Sequence, residues 1–110
     1  MTEPQAGFRA LRRICPRAEL LDEGGQPLVY LPGLKVNHAG AVVAVDALLV
    51  PRTHTNYPTR LFLSRPFSNR RQNWTSHHMM GGTWHVMSWN GVPSSLPWDE
   101  ILANHLRPLQ

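Results

Sequence analysis

Three histidines, His77, His78 and His85, fall within nine positions of this 110-residue chain, and His54 lies on the stretch before them. Imidazole can serve as general base, metal ligand or pH-dependent donor. Ser76 adjoins His77, and Thr75 and Ser64 add nearby hydroxyls. A hydroxyl deprotonated by a neighbouring histidine can accept an acyl group as an oxyester, so His77, His85 and Ser76 are the catalytic candidates. The competing role for such hydroxyls is to cap or turn the backbone, and for His77 a hydrogen bond to it. Neither Cys-x-x-Cys nor His-Glu-x-x-His spacing occurs. A zinc site therefore requires His77 or His78, His85 and a carboxylate to converge from apart, and neither metal nor cofactor is expected.

Cys15 is the only thiol. It lies on an early helical turn before Pro16, among Leu and Ile, where a lone cysteine is ordinarily packed rather than reactive. Trp74, Trp84, Trp89 and Trp98 all fall in the last third, which suggests an aromatic core between a loop and the final helix. An exposed tryptophan would mark an interface, and Trp74 with His78 is the candidate for one. Arg65, Arg70 and Arg71 flank the same segment and offer positive charge to an acidic partner, although solvated arginines are the default.

These side chains need elements to hold them. Phe8, Leu11 and Ile14 recur every third residue, predicting a helical turn or two within residues 1–18 that Pro16 ends. Glu19 to Leu21 and Leu28 to Leu31, around Asp22-Glu23-Gly24-Gly25, read as a hairpin. Ala41 to Val50 is apolar on both alternating faces, predicting a central strand covered on both sides, with Asp46 hydrogen-bonded inside it. Arg60 to Ser64 alternates as its antiparallel neighbour. Ser68 to Gly82, poor in aliphatics, reads as a long irregular segment, and Thr83 to Trp89 returns to an extended strand. Ser94 or Ser95 caps a last helix with Pro97 in its first turn, Asp99 and Glu100 at its positive end, and Trp98, Ile101, Leu102 and His105 or Leu106 on one face. The result is one α+β domain over residues 1–110: an antiparallel meander of about four strands packed against a C-terminal helix.

Composition narrows the classes. One hundred and ten residues exclude two-domain enzymes and large barrels. At 42% hydrophobic and 16% charged the chain is too apolar for disorder. The longest apolar run, Ala39 to Val50, is too short to span a bilayer, so no membrane role is expected. The first residues lack a secretory pattern, and a single cysteine fits a reducing compartment, so the cytoplasm is the expected location. The net charge is +4, and ten of the eleven basic residues are arginine. They come in pairs rather than a stripe, so specific nucleic-acid binding is not expected.

Three segments together resemble the ubiquitin-conjugating enzyme (UBC-like) superfamily, in particular divergent bacterial branches encoded beside ubiquitin-like proteins, activating enzymes and JAB-type peptidases. Val45 to Pro51, then Tyr57-Pro58 and Arg60 to Leu63, look like the strand, "YP" turn and strand at the centre of that fold. Trp74-Thr75-Ser76-His77 is similar to a Trp-Ser-x-His signature after the meander. Trp89 to Leu106 resembles the Trp-containing loop and helix that follow the active site. The chain departs from the family in one respect: Gly82-Thr83-Trp84-His85-Val86 holds no cysteine where conjugating enzymes carry theirs. The resemblance implies a UBC-like fold and an atypical conjugating homologue in a bacterial, antiphage-type modification pathway. It also implies a ubiquitin-like protein and an activating-enzyme-like protein as partners. Such a chain transfers through a hydroxyl or histidine, or acts as a non-catalytic subunit. The alternatives are a small histidine-based metal hydrolase and an arginine-rich module binding protein or nucleic acid.

Overall fold

The computed structural model describes residues 4–52, 57–67, 73–87, 89 and 91–110. The three-residue apolar period produces helix α1, Pro4–Ile14. Leu11 is fully buried, while Ile14 is 53% exposed, so the helix docks by its middle and Pro16 follows in a turn.

Gly24 and Gly25, at φ 60° and 85°, make the tight turn between β1 (Glu19–Glu23) and β2 (Gln26–His38). Strand β2 runs seven residues past the expected end at Leu31. Pro32-Gly33 does not stop it but forms a bulge, with the register shifting between Leu31 and Leu34 and Gly33 at φ 64°. Asp46 supports this bulge from the next strand, its Oδ1 accepting the Gly33 N–H at 2.9 Å. The expected hydrogen bond to this carboxylate is therefore present.

A turn at Ala39-Gly40 leads into β3 (Ala41–Val50), which pairs antiparallel with β4 (Arg60–Leu63) from Ala47↔Leu63 to Val50↔Arg60. Only the second half of β3 is covered on both faces. Ala41, Val42 and Ala44 are exposed because β4 is too short to reach them, and there β2 and β3 form a two-stranded ribbon.

The expected irregular segment needs correction: within it, Trp74–Met79 is a strand, β5, hairpinned to β6 (Gly82–Met87). Its polar side chains suit an edge with one open flank, and for that reason composition did not reveal it. Among the described residues the sheet consequently has six antiparallel strands rather than about four, in the order β1-β2-β3-β4-β6-β5.

Helix α2 covers Trp98–Leu106, followed by a short 3-10 turn, Arg107–Leu109. Neither Ser94 nor Ser95 caps it. Pro97 occupies the cap position itself, at φ −55° and ψ 148°, with no side-chain hydrogen bond. Its preset φ makes the entry without a capping hydroxyl.

The two helices share one face of the sheet. Leu11, Trp98, Ile101, Leu102 and Leu109 pack with Leu31, Val36, Val45, Leu49, Leu61, Leu63 and Met87 in the larger core. On the other face Leu28, Leu48, Val50, Phe62 and Val86 form a second cluster edged by Tyr30, Trp84, Met79 and Leu21. Tyr30 and Trp84 lean together across β3 and β4, with ring centroids 6.3 Å apart, and roof that cluster. Among the described residues no helix is long and apolar enough to cross a membrane.

Candidate functional site

The candidates cluster on the β5–β6 hairpin. Its turn is Met80-Gly81, both at positive φ, 49° and 78°. Two consecutive left-handed residues define a type I′ turn, whose twist matches that of the strands it joins. The register that follows, from Met79↔Gly82 to Trp74↔Met87, decides which side chains can meet.

Directly opposed residues project to the same face, and neighbours along a strand to opposite faces. Ser76 lies opposite His85, and His78 opposite Thr83, on the helix-bearing face. Thr83 Oγ1 and His78 Nδ1 are 3.4 Å apart. Trp74 enters that face's core beside Phe67, at 6.4 Å between centroids, and Arg65 lies over Phe67 at 4.8 Å. The Trp74 indole N–H is buried without an acceptor among the described residues.

His77 belongs to the other face. It is half-buried, its ring edge-on to Phe62 with centroids 5.5 Å apart, and Thr75 Oγ1 lies 3.3 Å from its Nε2. The structure therefore brings Ser76, His85 and His78 together on one face and separates His77 from them by the thickness of the sheet. His54, Arg70 and Arg71 lie outside the described residues. Among those described, no three His, Cys, Asp or Glu side chains stand close enough to hold a metal ion.

Compared with known proteins, the chain matches no family model, no curated protein and no solved structure.

The thiol lies elsewhere. Cys15 is 5% exposed in the core beneath α1, with its Sγ donating to the Pro32 carbonyl at 3.3 Å. A solvated acyl donor has little access to it. Cys15→Ser is expected to leave partner binding and any acyl transfer within a few-fold of wild type. Complete loss of either with folding intact, read by circular dichroism, would make the thiol a participant.

The tryptophans do not form one cluster as expected. Trp89 Nε1 donates to the Asn104 carbonyl of α2 at 3.2 Å, whereas Trp84 Nε1 turns back to the Met79 carbonyl at 3.0 Å on the opposite face.

Of the two alternatives for the inner face of α2 the structure buries His105, and its polar partner was not foreseen. His105, 3% exposed, lies 2.8 Å by Nε2 from Thr59 Oγ1, whose hydroxyl donates to the Val92 carbonyl at 2.9 Å. Because that hydroxyl proton is committed, Nε2 must be the donor to Thr59, which fixes the tautomer. Burial first, then the Arg60 charge, push His105 down to about 4. Arg60 is itself 4% exposed, its guanidinium 4.1 Å from the Tyr57 ring centroid. The clue in the sequence was Thr59-Arg60, two polar residues leading into Leu-Phe-Leu.

Proposed function

We propose that this chain is an atypical ubiquitin-conjugating-like protein of a bacterial ubiquitin-like modification pathway, acting as a binding subunit that carries no thioester. The order of elements supports the first half: a leading helix, an antiparallel meander with Tyr57-Pro58 between β3 and β4, then Trp74-Thr75-Ser76-His77 and the closing helix. The location of the single thiol carries the second half. It is packed beneath α1 and bonded to Pro32, while the strand expected to bear the family cysteine carries His85.

The test mixes the protein with a ubiquitin-like protein, its activating enzyme and ATP. Wild type should form no covalent adduct by mass spectrometry yet bind the ubiquitin-like protein in a titration. His78→Ala and His85→Ala should weaken binding about ten-fold, with stability changed by about 1 kcal/mol or less. A covalent adduct would overturn the binding-subunit reading, and no association with either pathway protein would overturn the pathway.

One observation favours a second reading: Ser76 and His85 are cross-strand partners on one face. There His85 could take the Ser76 hydroxyl proton while Oγ attacks the activated carbonyl, forming an oxyester and expelling the activating enzyme's thiol. An adduct lost in both Ser76→Ala and His85→Ala would establish it in place of the first.

A further inference from the structure

We propose that the β5 edge is a self-association site, pairing antiparallel with β5 of a second copy of this chain about a twofold axis through Ser76. Among the described residues strand β5 ends the sheet order, with only β6 beside it. In a two-residue hairpin the closing pair, here Met79 and Gly82, is hydrogen-bonded, and alternate pairs after it are bonded too. His77–Trp84 and Thr75–Val86 are then the inward pairs. The N–H and C=O groups of Trp74, Ser76 and His78 point away from the sheet, and Ser76 and His78 are solvent-exposed. Such a row is a template for another extended strand.

The chemistry of the two edges selects the occupant. Among its five residues β1 carries Glu19, Asp22 and Glu23, so a copy laid against it would oppose carboxylates. Strand β5, Trp-Thr-Ser-His-His-Met, contains no Lys, Arg, Asp, Glu or Pro, and its pairing with β6 has no bulge. It therefore lacks the charges, prolines and bulges by which edge strands ordinarily block pairing. Of the possible antiparallel registers, the one that opposes Ser76 to its own copy uses all three outward residues of each strand. Trp74 of one protomer then faces His78 of the other. A six-residue seam is small, so dissociation constants on the order of 100 μM are expected. This association is independent of the pathway assigned above.

Sedimentation velocity from about 10 μM to 1 mM should show the monomer giving way to a dimer, with hydrogen exchange at the Ser76 and His78 amides slowing as concentration rises. Ser76→Pro removes an outward donor without costing an internal bond, and proline is tolerated on strand edges in that orientation. It should remain folded by circular dichroism and monomeric throughout. Ser76→Lys, which opposes two ammonium groups across the axis, provides the same reading should the proline variant unfold. Ser76→Ala, which leaves the backbone intact, should dimerise like wild type. A monomer at 1 mM overturns the proposal, as does dimerisation unchanged in the Pro and Lys variants. Protection of the Ser76 and His78 amides only when a ubiquitin-like protein is added would assign the edge to that partner and overturn self-association.

Discussion

Acidification from pH 6.5 to 4 is expected to remove about 2.5 kcal/mol of stability through His105 alone. Its folded pKa lies near 4, against an ordinary value of 6.5. Between those values the unfolded chain holds the proton and the folded chain does not, so unfolding is favoured as pH falls. Above pH 6.5 both states are neutral at this residue and its contribution is complete. Protonation would place a second positive charge beside buried Arg60, in a site whose Nε2–H is already committed to Thr59. Urea titrations at pH 7.5 and 4.5 on wild type and His105→Gln isolate the effect. Glutamine retains an N–H for Thr59 but does not titrate, so the gap between the two proteins' pH dependences should approach about 2.5 kcal/mol. Parallel pH dependences would show that His105 titrates alike in both states.

The second large effect lies where the helices meet. A Cβ on Gly7 would fall 2.3 Å from Trp98 Cδ2 and 2.6 Å from Cγ. Gly7→Ala gains about 1 kcal/mol in helix propensity, yet the helices cannot approach as before. Overpacking of this severity should leave a net loss of about 2 kcal/mol. Trp98→Ala alone should cost about 4 kcal/mol, since Trp98 is buried in the main core. The double variant should be no worse than Trp98→Ala, because the clash disappears with the indole. Urea midpoints of the four proteins test this cycle, and a Gly7→Ala protein as stable as wild type would refute the close approach.

The parts of this fold that were legible were those in which side-chain pattern and burial agree. Ala41 to Val50 beside Arg60 to Leu63, and Trp98 with Ile101 and Leu102 against the sheet, could be read because apolar period and core face coincide. Gly24-Gly25 was legible because the turn needs positive φ. The full length of β2 was not legible past Leu31, because Pro32-Gly33 has the composition of a strand end as much as of a bulge, and the bulge is seen only with its Asp46 partner. Strand β5 was hidden because an edge strand can be polar on both faces. The candidate site inherited that error: with His77 on an irregular segment it could converge with His85, whereas strand alternation puts them on opposite faces. The inward position of His105 was legible from the helical period, but its pairing with Thr59 was not, because the two are 46 positions apart, a separation that no local pattern reports.

One seam in the sheet also bears on how the molecule opens. Four backbone pairs join β3 to β4, but among the described residues a single pair, Leu63↔His85, joins β4 to β6. The hairpin is held to the rest chiefly by side chains: Val86 in the cluster around Phe62, Trp84 against Tyr30, and Trp74 beside Phe67. Hydrophobic attachment of this kind weakens on cooling, more than a backbone ladder does. A hairpin attached in this way is expected to undock at a lower free energy than global unfolding, and more readily in the cold, which hydrogen exchange at the β5 and β6 amides measures. Ser76, His77, His78 and His85 all lie on it, so their exposure is expected to follow that opening rather than the stability of the whole domain.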